Sequence, residues 1–280
     1  MVRGVLILLF ILYSSEYLSA QKFSGPDTVT IQSGTLTLKG LFWRPTGKGP
    51  FPTVIFSHGN YGLTDTLYNP LSQISLLGPV FVSNGYNYLG LFRRGVGLSK
   101  GRGRNSDDLM NHAFKEMGQE ARNKVQLQQL ETDQLQDMIS GLRYLRNRKD
   151  VDTSRLAIVG HSFGGSLALI VAEQDPGIKA VVLFGAAGYS WDRSPQLRVR
   201  LIQAAGNMTA PIMIIHAQND YSTNPGYALD SVLNNYKKPH LLIIYPKFGN
   251  TNSEGHNLIF LNIPTWEVDV FRFLDQNLKR

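Results

Sequence analysis

The chain has 280 residues, 42% of them apolar and 18% charged, which excludes a disordered protein and allows one large domain with a buried core. It contains no cysteine, which excludes disulfides, a thiol nucleophile and thiolate metal sites. The net charge of +7 comes from basic residues scattered along the chain, apart from small groups such as GRGR and RNRK. No zinc-finger, RNA-binding or helix-turn-helix signature accompanies them, so they read as solvated surface and not as a nucleic-acid site.

The first twenty residues, MVRGVLILLFILYSSEYLSA, stand apart. Arg3 precedes an apolar run at 5–12, and polar and small residues follow up to Ala20. That is the layout of a secretory signal peptide (1–20) with cleavage before Gln21, leaving a single domain at 21–280. The competing reading is a membrane anchor, but a span needs about 20 apolar residues and this run is far shorter. Removing Arg3 and Glu16 together leaves the net charge unchanged. An exported chain without disulfides suits a bacterial exterior or periplasm.

TVTIQSGTLTLKGLFWRP alternates apolar and polar residues around Ser33-Gly34 and predicts an antiparallel hairpin. Apolar runs at 53–56, 86–92, 156–159, 180–184, 212–216 and 241–245 predict further strands. The later runs are apolar almost throughout, as expected of parallel strands covered on both faces. Leu135, Met138, Ile139, Leu142 and Leu145 recur at helical spacing, and 166–173, 227–236 and 266–278 also read as helices. Alternating strands and helices predict an α/β domain with a mostly parallel twisted sheet. The segment 107–132 is longer than a normal connection. Met110, Phe114, Met117 and Ala121 predict an inserted helix there, lying over the site or extending the next helix.

Within RLAIVGHSFGGSLAL, Gly160 to Gly164 form the pattern G-x-S-x-G between a strand run and a helix run. A strand-to-helix turn that sharp holds the serine hydroxyl out from the carboxyl end of the sheet, so Ser162 is the candidate nucleophile. The bland alternative is a glycine-rich packing turn. A serine hydroxyl needs a histidine base, and the base needs a carboxylate to fix its tautomer. Among six histidines, His256 follows the last strand in the polar, glycine-containing loop NTNSEGHNLIF. His161 sits in the turn itself and should point elsewhere. His58 reads as a loop brace, His216 as buried structure, and His112 and His240 lack a suitable setting. Asp220, just past a strand in PIMIIHAQND, completes the chain order serine, acid, histidine. Asp192 and Glu254 are the weaker acids, and an Asx-turn is the structural alternative for Asp220. The backbone N–H of Phe163 and that of Asn60, in SHGNYG, are the expected oxyanion donors, with Tyr61 or Gly59 next for the second. Tyr61, Tyr189, Trp191, Tyr221 and Phe248 all follow strands at the carboxyl end and are pocket candidates, against a plain reading as loop aromatics covering the core.

The segments VIFSHGNYG, GYNYLGLFRRGVGLSKG, DVDTSRLAIVGHSFGGSLAL, PIMIIHAQND and SEGHNLIF occur in that order. In this the chain resembles the α/β-hydrolase family, and more narrowly its dienelactone-hydrolase-like and prolyl-oligopeptidase-like branches. The resemblance implies the α/β-hydrolase fold, the triad Ser162, Asp220 and His256, and the Phe163 and Asn60 backbone as oxyanion hole. It also implies that Arg93 and Arg94 belong to a structural loop. The 107–132 insertion lies outside the family's common core, and the resemblance leads us to expect neither a large cap in the short segment after Phe184 nor the N-terminal propeller of the oligopeptidases. The expected activity is hydrolysis of small carboxylic esters without metal or organic cofactor. Its rivals are a peptidase of small peptides, a non-catalytic binding protein with the same fold, and an acyltransferase.

Overall fold

The computed structural model describes residues 24–60 and 69–279. The expected signal peptide and Tyr61 lie outside the described residues. Strands β1 (Ser24–Ser33) and β2 (Leu36–Arg44) form the expected hairpin, with Gly34 at φ 57° in the turn. β2 pairs antiparallel with β4 (Asn87–Phe92). All later pairings are parallel, among β4, β3 (Phe51–Ser57), β5 (Val151–His161), β6 (Ile178–Phe184), β7 (Ile212–Ala217) and β8 (His240–Tyr245). The eight strands lie in the order β1-β2-β4-β3-β5-β6-β7-β8.

The apolar runs are continuous because both faces of the sheet are covered. Successive side chains point to opposite faces. Ile158, Val181, Leu183, Ile212 and Ile214 join one core, while Ala157, Val159, Val182, Met213 and Ile215 join the other. Helices α3 (Asp133–Arg146), α4 (Phe163–Gln174), α5 (Pro195–Asn207) and α6 (Asn224–Asn235) close the first. Helices α1 (Pro70–Ser83), α8 (Leu258–Leu261) and α9 (Ile263–Leu278) close the second. No helix among the described residues is long and apolar enough to cross a membrane.

The insertion is helix α2 (Ser106–Glu131), capped by the Asn105 side chain, which accepts from Asp107 N–H at 2.7 Å. Its sequence stripe needs correcting. Met110 is fully buried and Ala113 nearly so, but Phe114 is 50% and Met117 73% exposed. The inward face of this segment runs through Ser106, Met110 and Ala113, which leaves Phe114 and Met117 on its outer side. Gly118, at φ 78° and ψ −166°, then breaks the helix, so the stripe does not continue to Ala121. After a second break at Thr132 the chain enters α3.

Because the parallel strands share one direction, the ends of β3, β5, β6 and β7 deliver their loops to one edge of the sheet. Those loops hold Ser57 to Asn60, Ser162, Gly185 to Gly188, and Asp220.

Candidate active site

Ser162 occupies the turn between β5 and α4 at φ 55° and ψ −120°, a left-handed conformation that is costly for a residue with a β-carbon. Its surroundings over-determine it. Ser162 N–H donates to Phe184 O on β6 at 2.8 Å, and Gly165 and Ser166 N–H return to Ser162 O at 3.0 and 3.1 Å. The flanking glycines are required by close approach. A β-carbon on Gly164 would stand 2.0 Å from Ser57 O, and one on Gly160 2.4 Å from Gly164 O. Phe163 opens α4, so its N–H has no partner within the helix.

His256 Nε2 lies 2.8 Å from Ser162 Oγ, and His256 Nδ1 lies 2.6 Å from Asp220 Oδ1. A carboxylate only accepts, so Nδ1 carries the hydrogen and Nε2 is left to accept from the serine hydroxyl. The structure thus brings Ser162, His256 and Asp220 into one hydrogen-bonded line from three separate loops. Asp220 is 6% exposed. Burial by itself raises its carboxyl, but the His256 charge and the hydrogen bonds from His216 and His256 outweigh that and hold it well below the usual carboxylate range. Tyr221 N–H also donates to Oδ1, at 2.6 Å. The loop after β6 must be small to admit this carboxylate: a β-carbon on Gly188 would stand 2.7 Å from Asp220 Oδ1, and one on Gly185 2.9 Å from His256 Nδ1.

The loop carrying His256 is tied down at several points. Asn219, beside Asp220, donates to Phe248 O and Thr251 O, both at 2.8 Å, and accepts from Phe248 N–H at 2.9 Å. Helix α7 (Asn252–His256) begins with a reciprocal capping box between Thr251 and Glu254. His161 turns away from Ser162 and donates Nε2–H to His256 O at 3.0 Å. Burial, helped by the nearby His256, lowers its pKa to about 3, so the ring is neutral.

His58 and Arg93 brace the loop after β3. His58 Nδ1–H donates to Gly59 O at 2.6 Å, and His58 Nε2 accepts from Arg93 N–H at 3.2 Å. Burial pushes His58 well down, and the Arg93 charge adds to this. Arg93 is 1% exposed and reaches Gly59 O, Ser57 Oγ and Gln134 Oε1. Arg94 is held by the fully buried Asp137, which also accepts from Ser33 Oγ. In a trans peptide the C=O and the next N–H point opposite ways. With Gly59 O held by His58 and Arg93, Asn60 N–H faces away from them. The Asn60 side chain accepts from Ser106 Oγ at 3.0 Å, which ties this loop to α2.

A cleft of about 350 Å³ opens over Ser162. It is lined by Gly59, Asn60, Phe163, Tyr189, Tyr221 and His256, and on one side by Asp107, Asn111, Arg122 and Gln126 of α2. The insertion therefore forms a wall of the cleft as well as leading into α3. Gln126 is fixed to Ser190 Oγ at 3.0 Å, and Asn123 to Arg193 O at 2.6 Å. Tyr189 and Tyr221 meet edge-on at 5.3 Å, and Tyr221 meets the His256 ring at 5.1 Å. Trp191 does not belong here. It is 4% exposed and its ring packs into the core, because the turn after β6 directs it inward, where apolar area is removed from water. Phe248 packs against the opposite core. Asp192 lies on the surface, bonded to Asn224, and Glu254 serves the helix cap. His240 pairs with Asp230 at 3.0 Å, and His112 is exposed on α2. His216 is buried, as the sequence suggested, but sequence reasoning missed its bond to the acid: Nδ1 lies 2.7 Å from Asp220 Oδ2. Sequence reasoning offered α2 over the site as one alternative but did not name the polar residues of α2 that line the cleft.

The dienelactone hydrolase family model matches residues 38–257. The chain belongs to the dienelactone hydrolase family. It is 25% identical to human dipeptidyl peptidase 8 over 287 aligned positions, covering 91% of this chain and 29% of that protein. The chain thus spans under a third of that relative's length. Among solved structures, acylaminoacyl peptidase from Pyrococcus horikoshii superposes with a TM-score of 0.65 at 19% identity, over 92% of this chain and 43% of that one. A dienelactone hydrolase from Anabaena variabilis superposes with a TM-score of 0.61 at 15% identity, over 90% of this chain and 97% of that one. At these identities the superpositions establish the α/β-hydrolase fold. The family takes its name from hydrolases.

Proposed function

We propose that this chain is a serine hydrolase that cleaves small carboxylic esters through an acyl-enzyme on Ser162. The observation that carries the reading is the line Ser162 Oγ–His256 Nε2, 2.8 Å, and His256 Nδ1–Asp220 Oδ1, 2.6 Å beneath an open cleft. Ser162 Oγ attacks the ester carbonyl carbon while His256 Nε2 takes the hydroxyl proton. The carbonyl π electrons move to oxygen, and the N–H groups of Phe163 and Asn60 stabilise that oxyanion. On collapse the C–O bond to the alcohol breaks, and His256 returns the proton to the leaving alkoxide. Water then attacks the acyl-enzyme, again giving its proton to His256. The acid leaves as the proton returns to Ser162. Asp220 stays ionised and holds the imidazole in the reactive tautomer.

The small-peptide reading keeps the same residues and is favoured by the likeness to dipeptidyl and acylaminoacyl peptidases. Hydrolysis of p-nitrophenyl acyl esters and of peptide anilides by the same preparation separates the two. The ester reading expects turnover of the esters, little of the anilides, and loss of turnover in Ser162→Ala by at least about 10³-fold. Preference for the anilides would replace it. No turnover of either, with the fold intact, would favour the binding-protein reading.

The place of action belongs to the same proposal. The leader-like segment 1–20 supports export, secreted or periplasmic. N-terminal sequencing of the protein from its native source tests this, with Gln21 as the expected first residue.

A further inference from the structure

His216 is the penultimate residue of strand β7, four before Asp220; its side chain has no solvent exposure, and its Nδ1 lies 2.7 Å from Asp220 Oδ2. The other oxygen, Oδ1, takes His256 Nδ1 and Tyr221 N–H, each at 2.6 Å. Two imidazoles therefore grip one carboxylate from opposite sides, and only His256 reaches Ser162. His216 Nε2 is buried without a hydrogen-bond partner. On that side the ring faces Gly226 of α6, where a β-carbon would stand 3.0 Å from the ring. Among the described residues no group of three His, Cys, Asp or Glu side chains is arranged to hold a metal ion, so the trio does not read as a metal site.

We propose that His216 is a positioning residue that fixes the plane of the Asp220 carboxylate and so aims Oδ1 at His256; this rests on the triad reading above. A carboxylate held at one oxygen can still turn about its Cβ–Cγ bond. A donor on the second oxygen removes that freedom and satisfies a charge that has no access to water. The dead-end Nε2 gives His216 no route to solvent, so it passes no proton. It acts only through Asp220.

The test compares His216→Leu, His216→Asn and His216→Gln. Leucine fills similar space with no donor. The asparagine amide nitrogen occupies the bonding position of Nδ1, and the glutamine amide nitrogen is displaced by one carbon. The probes are a fluorophosphonate, whose second-order labelling rate reads Ser162 nucleophilicity whatever the natural substrate, and p-nitrophenyl acetate, read as kcat and KM separately. His216→Leu and His216→Gln should label on the order of 10- to 100-fold more slowly, with kcat reduced and KM little changed. His216→Asn should recover most of the loss. The low-field proton resonance of His256 Nδ1–H should persist in His216→Asn and shift or vanish in the other two. Equal labelling rates in folded His216→Asn and His216→Gln would overturn the proposal, as would a low-field resonance unchanged in all three. If His216→Leu does not fold, the asparagine–glutamine comparison still decides. Wild-type protein that labels but leaves p-nitrophenyl acetate intact would remove the ester reading alone, and the labelling rates would still judge His216.

Discussion

A carboxylate can accept hydrogen bonds but never donate them, and that asymmetry sets the protonation of the whole site. Asp220 dictates that His256 carries its hydrogen on Nδ1, which leaves Nε2 open to the Ser162 hydroxyl. Asp220→Asn undermines this, because the uncharged amide presents a donor where the carboxylate presented only acceptors and cannot stabilise the imidazolium that forms on His256. Its kcat for p-nitrophenyl acetate should fall about 10⁴-fold while the protein stays folded, as circular dichroism would show. The three central residues were legible in the sequence because each lies in a segment that follows a strand run and their order along the chain is informative. His216 was not. Its separation of four from Asp220 crosses a strand end and a turn, where periodicity carries no information about contact. Trp191 misled for a related reason: position after a strand says which edge a residue occupies but not whether its ring faces the cleft or the core.

At the scale of elements, the strand-turn-helix unit works only if α4 and the loop after β3 approach to backbone contact. Gly164→Ala would place a β-carbon 2.0 Å from Ser57 O, and backbone cannot move aside as a side-chain tip does. Thermal melts should show this variant destabilised by about 3 kcal/mol or more, or unfolded on expression. A milder variant tests the oxyanion loop. Arg93 Nη2 holds Gly59 O at 3.2 Å, and with it the direction of Asn60 N–H. Arg93→Lys replaces a planar fork with a single ammonium and should lower kcat by about 10- to 100-fold more than it raises KM. Strands β3 to β8 could be read from their apolar runs, and the first hairpin from its alternation. Helices α1 and α5 could not. α1 contains Gly78 and Pro79 and exposes Leu71 and Leu76, which blurs any stripe. α5 buries Leu197 and Leu201 but exposes Val199 and Ile202. Gly78 is explained only in three dimensions: a β-carbon there would stand 2.4 Å from the Trp43 ring.

Across the whole molecule, the buried histidines His161 and His58 and the carboxylate of Asp220 all favour the folded state above acid pH. His161 and His58 are held neutral by burial, His161 with its pKa near 3. The unfolded chain binds protons at these rings below about pH 6.5, and the native chain does not. Stability is therefore whole above that pH and declines as pH falls through it. For His161 alone the loss by pH 4.5 is about 3 kcal/mol. Asp220, held below its ordinary value, contributes stability above about pH 4 that is lost on further acidification. Urea melts at pH 7.5 and pH 4.5 should show a clearly lower midpoint in acid; equal midpoints would contradict this. The same folded frame serves chemistry as well as stability, because His161 also anchors the backbone of His256.

All of this converges on one hydroxyl, and the most direct measurement is to find where a fluorophosphonate attaches. Peptide mapping by mass spectrometry should show one adduct per chain, on Ser162, formed far more slowly when His256 is replaced by alanine. An adduct on any other residue, or none on a folded protein, would contradict the account.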